Sequence, residues 1–293
     1  MLIAEILAKA KNAYDNGDLE KALEYYLLAL EQVKEDVWLL MTIALIYDEL
    51  GRNDEAISFY EQVLQIDPTN PIAYYGIGTI YDNLKDYDKA ISYYKEALIY
   101  WPEYTEAHFF LANIYDDLGE TNLAIYHYQK AIECDPNYFY AHLNLGSVYE
   151  SMNENELALE CFEEALKLRK DNHLLYFNFG VVFRKLKRFE ESIKAYEKVL
   201  ELEPTYANAY LNLALVYKDI YHDLPKAIDV YSEGLHYHPE HAILLYNRAC
   251  CYALLNQDDL ALQDLKKAVE VQPELQEYLL VDDELINFHK YFI

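Results

Sequence analysis

Histidines cluster at one point of the chain, in an arrangement suited to metal binding. His236, His238 and His241 lie within six residues of one another, with His222 shortly before them. Imidazoles at such a spacing can hold a divalent cation. Pro239 lies among them, however, and a proline favours a turn between helices. A polar turn that carries histidines is the favoured interpretation, and we expect no bound metal and no other cofactor.

The remaining motifs and reactive side chains lack the spacing that a cofactor-binding loop or a catalytic site requires. Gly76-Ile77-Gly78 has neither the third glycine nor the preceding strand of a dinucleotide-binding loop, and no nucleophile elbow or zinc-protease motif occurs. We therefore predict that the chain is not an enzyme. The four cysteines show no metal or disulfide spacing, which predicts a reducing, cytoplasmic location. They are Cys134, Cys161, Cys250 and Cys251.

The charge balance excludes two classes of partner. The 293 residues include 51 acidic and 24 basic side chains, for a net charge of -27. A nucleic-acid partner or an anionic membrane surface would require a basic face, so we expect neither. Uncharged runs such as Pro204–Tyr217 reach fourteen residues, short of the roughly 20 of a membrane helix. Only 8 glycines and 8 prolines are present, which favours a helical chain.

Small and aromatic residues recur every 34 residues along the chain. One row of small residues is Ala22, Ala56, Ala90, Ala124, Ala158, Ser192, Ala227 and Ala261. Four residues after each lies a larger side chain, in the order Tyr26, Tyr60, Tyr94, Tyr128, Phe162, Tyr196, Tyr231 and Leu265. Spacings of three and four place such residues on one face of a helix. A second small row in the upstream half of each unit predicts a second helix, and therefore a helical pair per unit.

This pattern resembles the tetratricopeptide repeat, whose 34-residue signature has these small and aromatic positions and a closing proline. The eight predicted repeats are 3-36, 37-70, 71-104, 105-138, 139-172, 173-206, 207-241 and 242-275, with one residue inserted in the seventh. The resemblance implies an all-α, right-handed superhelical solenoid whose first helices line a concave groove for partners. Residues 276-293 have apolar residues at helix-like spacing and predict a C-terminal capping helix. Docking of the terminal Tyr291-Phe292-Ile293 on another copy or on a partner is the alternative.

Asparagines occupy one predicted groove position in four consecutive repeats. Counted from the first residue of each repeat, position six holds Asn144, Asn178, Asn212 and Asn247. A carboxamide both donates and accepts, so it can pair with the backbone of an extended peptide. The row resembles the asparagine ladder of the O-linked N-acetylglucosamine transferase superhelices and that of the armadillo importins. No part of the chain resembles the catalytic domain of the transferase.

Position twelve divides the predicted groove by charge. It is acidic early in the chain and basic later, and Lys185 adds to the basic part at position thirteen. The position-twelve residues are Asp48, Asp82, Asp116, Glu150, Arg184 and Lys218. Between Lys167 and Lys226 there are 11 basic and 8 acidic residues, a net charge of +3 in an otherwise acidic chain. Apolar groove residues lie among the acids, which is typical of a binding groove. They are Trp38, Met41, Tyr75, Phe109 and Phe110.

The sequence as a whole predicts a protein–protein interaction scaffold or adaptor that binds an extended peptide segment of a partner protein. One alternative is a homo-oligomer that fills its groove with its own tail or with a second copy. Another is a regulatory or targeting subunit of an enzyme complex.

Overall fold

Packed helix pairs follow one another throughout residues 2–292, the part of the chain that this computed structural model describes. The first helices of the pairs are α1 (Ile3–Asp15), α3 (Val37–Glu49), α5 (Pro71–Asn83), α7 (Thr105–Asp117), α9 (Phe139–Ser151), α11 (His173–Lys185), α13 (Ala207–Leu215) and α15 (Ala242–Leu254). The second helices are α2 (Leu19–Val33), α4 (Asn53–Ile66), α6 (Tyr87–Tyr100), α8 (Thr121–Cys134), α10 (Asn155–Leu168), α12 (Phe189–Leu202), α14 (Leu224–Tyr237) and α16 (Asp258–Val271). The described residues contain no strand. The predicted all-α fold of repeated helix pairs is confirmed.

The helices belong to two compact units that divide within α9, between Val148 and Tyr149. The first unit has a core around Ile43, Ile46 and Ile77, none of which is exposed. The second unit has a core of its own, which includes Tyr231 and Leu244. Among residues 2–292, no helix has both the length and the hydropathy of a membrane span.

The recurring small and aromatic positions pack directly on one another within repeats three and six. A Cβ added at Gly78 would lie 2.8 Å from the ring of Tyr94, and one at Gly180 would lie 2.4 Å from the ring of Tyr196. Both tyrosines are fully buried. Because protein cores have no space to spare, the first helix of these repeats requires its smallest residue where the second helix brings its largest.

Short turns join the two helices of each pair. Gly17, Gly51 and Gly119 adopt φ angles of 77°, 70° and 74° there, the left-handed conformation that ends many helices. Lys85 and Lys187 take the same conformation without being glycine, at φ angles of 60° and 59°. That conformation costs a residue with a side chain about 1–2 kcal/mol. The left-handed conformation of these turns therefore follows from the packing of the two helices that they join. It does not require a glycine at the turn position.

The residue inserted in repeat seven is accommodated inside a helix. Immediately after α13, residues Val216–Ile220 form a π-helical turn, which holds one residue more than an α-helical turn. This turn carries Lys218, a predicted groove residue. The insertion therefore lies at the end of the first helix. Comparison of the repeats in the sequence places it slightly later, near Tyr221–Leu224.

The C-terminal segment is not the single capping helix that the sequence predicted. It consists of α17 (Leu275–Leu279) and a 3₁₀ helix, Asp283–Tyr291, while Ile293 lies outside the described residues. Asp282 caps the N-terminus of the 3₁₀ helix, because its carboxylate accepts a hydrogen bond from the backbone N–H of Glu284 at 3.0 Å.

The buried residues of this segment explain why one continuous helix does not form. Leu279 and Leu285 are both fully buried against Ala261 and Leu265. Residues six apart lie on different faces of an α-helix, so a continuous helix could bury only one of these leucines. A 3₁₀ helix has three residues per turn, which also brings Phe288 beneath Leu285 onto the same buried face.

Candidate functional site

The apolar residues predicted for the groove differ in exposure. Trp38 begins α3 with 59% of its surface exposed, and its ring lies edge-on to Tyr26 at 6.1 Å. Met41, Tyr75 and Phe110 are half-buried, as binding residues can be. Phe109 is only 8% exposed and belongs to the core, so its assignment as an exposed groove aromatic is wrong. Neighbouring residues on a helix face different directions, so Phe109 and Phe110 cannot both face outward.

Tyr75 lies at the centre of a layer of aromatic rings in the first unit. Its ring centroid is 4.9 Å from that of Tyr104, 5.7 Å from that of Tyr94 and 6.1 Å from that of Phe110. These distances are those of favourable aromatic pairs. Burial raises the pKa of Tyr75 and of Tyr94 far above the usual value, so both hydroxyls remain protonated donors. The layer offers a firm apolar surface edged by polar hydroxyl groups.

The early acidic residues of position twelve are only partly hydrated. Asp48 and Asp82 are half-buried, whereas Asp116 is exposed. Desolvation is the main cause that raises the pKa of each carboxyl, and Glu49 and Asp117 add to it at Asp48 and Asp116 respectively. Asp82 accepts a long hydrogen bond of 3.5 Å from the hydroxyl of Tyr94. Because no basic partner satisfies Asp48 or Asp116 among the described residues, both remain open to a cationic ligand.

The basic residues of the second unit are largely paired within the chain. Lys185 forms a salt bridge of 2.5 Å with Glu150 and also donates to the backbone carbonyl of Glu150 at 2.9 Å. Lys218 forms a salt bridge of 2.7 Å with Glu284 of the 3₁₀ helix. Arg184 is half-buried, and its Nε–H has no hydrogen-bond partner. Glu150 and Lys185, an acidic and a basic residue of the predicted groove, therefore form an ion pair with each other inside the second unit.

Asn144, in the first unit, already has internal partners. Its Nδ2 donates to the carboxamide oxygen of Asn113 at 3.0 Å, and that oxygen also accepts from the hydroxyl of Tyr128 at 2.6 Å. Asn144 therefore takes part in a contact within the fold. It joins α9 to the first helix of the preceding repeat, since Asn113 lies on α7.

The other three asparagines belong to the second unit and are all half-buried. The Nδ2 of Asn212 donates to the carbonyl of Asn208 at 2.9 Å, and that of Asn247 donates to the carbonyl of Ile243 at 2.9 Å. Each of these two bonds stays within one helix and occupies one of the two amide hydrogens. The carboxamide oxygens of Asn212 and Asn247 therefore remain available to a ligand. Asn178 has an internal interaction of its own.

The residue at position four makes a recurring hydrogen bond that the sequence analysis missed. In five repeats its tyrosine or histidine donates to the carbonyl of the residue six positions earlier, at 3.0–3.2 Å. The donors are Tyr74, His108, His142, Tyr176 and Tyr210. The acceptors are Pro68, Pro102, Pro136, Lys170 and Pro204. This bond fixes each first helix to the turn before it. The recurrence of tyrosine or histidine at a 34-residue spacing was the available signal.

Two histidines form a buried pair in the first unit, also missed by the sequence analysis. The Nδ1 atoms of His108 and His127 are 2.9 Å apart, and the ring of Tyr115 stacks on that of His127. The carbonyl of Pro102 can only accept, so His108 carries its proton on Nε2 and its Nδ1 accepts from His127. Burial lowers the pKa of His127 to about 4, with a further contribution from His108. The pair is therefore neutral at neutral pH.

The histidines around Pro239 serve the turn in which they lie. His238 donates to the carbonyl of Thr205 at 2.6 Å, while Nδ1 of His241 accepts from the N–H of Leu244 at 3.3 Å and caps α15. Burial lowers the pKa of His241, and the neighbouring His238 adds to this effect. The interpretation as a polar turn between helices accounts for these contacts.

Sequence profiles of repeat families match most of the chain. The profile of the TPR repeat matches residues 44–85, 112–153 and 180–220. Profiles of the tetratricopeptide repeat match residues 71–104, 139–172 and 242–275. The chain belongs to the tetratricopeptide-repeat family. No curated protein matches this tetratricopeptide-repeat chain significantly.

Solved structures agree with the tetratricopeptide-repeat fold. The C-terminal part of a TPR repeat-containing protein from Cytophaga hutchinsonii has a TM-score of 0.68 at 18% identity, covering 84% of this chain and 98% of that one. A chain of the APC/C hetero-tetramer Cut9-Hcn1 has a TM-score of 0.59 at 19% identity, covering 98% and 55%. YrrB, a TPR protein with an unusual peptide-binding site, has a TM-score of 0.55 at 23% identity, covering 64% and 97%. At these identities the similarity shows the fold alone.

Proposed function

We propose that this chain is a protein-interaction scaffold that binds an extended segment of a partner protein on its first helices. It acts by binding rather than by catalysis. Its four free cysteines suit a reducing compartment such as the cytoplasm. The observation that carries the proposal is that four first helices, α3, α5, α9 and α11, each have an exposed apolar side chain at position two.

Exposed apolar side chains occupy position two in repeats two, three, five and six, whereas repeat four has Glu106 there. In the first unit Trp38 is 59% exposed, Ile72 is 46% exposed and Tyr140 is 47% exposed, and in the second unit Leu174 is 41% exposed. Exposed apolar side chains at one recurring position are a feature of binding surfaces. Within the first unit, an extended peptide could cover neighbouring residues of this set, such as Trp38 and Ile72, without forming secondary structure of its own.

Polar groups on the same helices would complete the contact. In the first unit the carboxylates of Asp48 and Asp116 lie open and would receive basic side chains of the segment. In the second unit the carboxamide oxygens of Asn212 and Asn247 would accept from its backbone N–H groups. Apolar anchors with a polar surround give both affinity and specificity. The unusual peptide-binding site of YrrB provides a precedent in the same fold.

Repeat three offers a matched pair of variants to test this proposal. Ile72 lies on its first helix and Ile99 on its second, and they are 46% and 63% exposed. Random peptides displayed on phage would be selected against the full chain, and the affinities of the selected peptides would be measured by fluorescence anisotropy. We expect Ile72→Ala to weaken binding about tenfold, the effect of losing one buried aliphatic contact. Ile99→Ala should leave the affinity unchanged.

The opposite pattern would place the binding surface elsewhere. Loss of affinity in Ile99→Ala alone would assign binding to the second helices and contradict the proposal. Melting curves followed by circular dichroism would show that both variants remain folded, as expected for exposed positions.

A further inference from the structure

A cavity of about 400 Å³ opens between the second helices of repeats five and six, within the second unit. It is lined by Leu166 of α10, by Ala195 of α12 and by aromatic residues of α11. Its volume lies within the range of about 300–1,000 Å³ that is typical of ligand pockets. Leu174, the exposed residue at position two of α11, does not line it. The cavity is therefore separate from the surface described under the proposed function.

Three aromatic rings on one face of α11 give the cavity an apolar lining. Tyr176, Phe179 and Phe183 are three and four residues apart, which is the spacing of one helix face. The ring centroids of Phe179 and Phe183 are 5.5 Å apart, and those of Tyr176 and Phe179 are 6.4 Å apart. Tyr176 and Phe183 are only half-buried, so parts of their rings remain accessible. Such a lining suits an aromatic or aliphatic side chain of a ligand.

The charged residues around these rings are mainly basic, although the chain is strongly acidic. Three basic and two acidic side chains line the cavity, whereas the whole chain has a net charge of -27. The basic residues are Arg188, Lys194 and Lys198, and the acidic residues are Glu163 and Glu191. All three basic residues belong to the stretch from Lys167 to Lys226, whose net charge is +3. The cavity thus accounts for part of a basic stretch that the proposed function does not use.

A cavity in the first unit shows that this charge is particular to repeat six. It lies between the second helices of repeats one and two and has a volume of about 850 Å³. Glu31 and Glu35 line it against one basic residue, Lys34, and no aromatic ring of the described residues does. The repeat architecture alone therefore does not produce a basic, aromatic cavity.

Lys194 is the basic residue of the cavity that remains free to receive a carboxylate. Arg188 donates to Glu191 through Nε and Nη2, and its guanidinium lies over the ring of Phe183 at 4.6 Å. Lys198 forms a salt bridge of 2.7 Å with Glu201. Glu191 and, to a smaller extent, Glu163 raise the pKa of Arg188, so both acidic residues of the cavity act on that guanidinium. Lys194 is exposed and has no ion-pair partner within residues 2–292.

We propose that this cavity is a docking site for a segment of a partner protein that carries a large apolar side chain next to an acidic one. The apolar side chain lies against the rings of Tyr176 and Phe183, and the carboxylate pairs with Lys194. This inference goes beyond the proposed function, because it assigns a second binding surface to α10, α11 and α12. The charge of the cavity selects for acidic segments, whereas the open carboxylates of the first unit select for basic ones.

The test uses the full chain and two phage libraries of peptides. One library fixes a phenylalanine between two aspartates and the other fixes a phenylalanine between two lysines, with random residues on both sides. Fluorescence anisotropy would give the affinities of labelled forms of the selected peptides. We expect the aspartate library to yield peptides that bind in the cavity, and binders from the lysine library to depend on Ile72 instead.

Two matched pairs of variants locate the binding site. Lys194→Glu should weaken the aspartate peptides about 2- to 30-fold, because it removes an attraction of the strength of an exposed ion pair and adds a comparable repulsion. Lys266→Glu makes the same change of net charge at an exposed residue of α16 and should have no effect. Leu166→Ala should weaken the same peptides about tenfold. Leu168→Ala is its control, because Leu168 lies on the same helix outside the lining of the cavity.

Lys194 is exposed, so Lys194→Glu should fold normally, and circular dichroism melting curves would check every variant. The inference is wrong if the aspartate library yields no binder or if Lys266→Glu weakens its peptides as much as Lys194→Glu does. It is also wrong if those peptides depend on Ile72 and are insensitive to Leu166→Ala, a result that would leave the proposed function intact. Peptides that depend on Leu166 and Lys194 but not on Ile72 would support the second surface by itself.

Discussion

Acidification should destabilise the first unit through the buried pair of His108 and His127. At neutral pH the pair shares one hydrogen bond between its Nδ1 atoms at 2.9 Å. A proton added to Nδ1 of His108 would place two donors face to face, and a proton added to Nε2 of His127 would place a positive charge in a buried site. Lys130 opposes a positive charge on His108, and Lys95 opposes one on His127. Burial is the main cause that lowers the pKa of both imidazoles. Glu133 opposes this effect at His108 without reversing it.

The size of the effect follows from His127. Its pKa is about 4 in the folded chain and about 6.5 in an unfolded one. Between these values the unfolded chain binds more protons than the folded chain, so stability falls as the pH falls through this window. Linkage gives a loss of about 2 kcal/mol between about pH 7.5 and about pH 5, and roughly 3 kcal/mol once the pH is below both values.

His127→Asn is the informative variant. The Asn side chain retains an N–H donor for Nδ1 of His108 but does not titrate. Urea unfolding followed by circular dichroism at several pH values would give the free energy of unfolding of both proteins. Between about pH 7.5 and about pH 5, the wild type should lose about 2 kcal/mol more than the variant. The large net negative charge of -27 changes with pH in both proteins, so its effect cancels in the comparison.

His142→Gln provides the control, because His142 occupies the same repeat position as His108 and donates to Pro136 at 3.0 Å without a histidine partner. Equal losses in the wild type and in His127→Asn would refute the reasoning. So would a titration of the His127 imidazole near its unfolded pKa in NMR spectra of the folded chain.

Three further predictions concern stability and can be measured by urea unfolding. Gly180→Ala should cost about 1–3 kcal/mol, because the added methyl group would lie 2.4 Å from the ring of Tyr196; a variant as stable as wild type would show that this ring can move. Asp264→Asn should cost about 3 kcal/mol, since it leaves Arg248 without the carboxylate that it contacts at 2.7 and 2.9 Å; a neutral effect would mean that water replaces the pair. Leu285→Ala should cost about 2–4 kcal/mol by opening a cavity under the C-terminal segment, and an unchanged midpoint would contradict the prediction that this segment caps the last repeat.

The repeat pattern was sufficient to predict the helix pairs and their core. A small residue such as Gly78 and a ring such as Tyr94 recur because two helices can approach only where one of them lacks bulk. This requirement is local to each repeat, so it is visible in the spacing of residue types. Of the exposed apolar residues at position two, the sequence predicted Trp38 as a binding residue.

Exposure and pairing of individual side chains depended on contacts between repeats. Phe109 and Phe110 are equally apolar in the sequence, yet only the packing of neighbouring rings shows that Phe109 is buried. Asn144 resembles Asn212 in the sequence, but it has Asn113 as a partner and Asn212 has none of this kind.

The sequence by itself therefore determined the fold of repeated helix pairs, and it predicted repeat boundaries and positions that face a ligand. Only the tertiary structure decided which charged groups are already satisfied. Lys185 and Lys218 are paired with Glu150 and Glu284, while Arg184 is not. The physical reason is that a period of 34 residues records the packing within a repeat. A salt bridge such as that of Lys218 with Glu284 joins residues 66 positions apart, and only the folded chain brings them together.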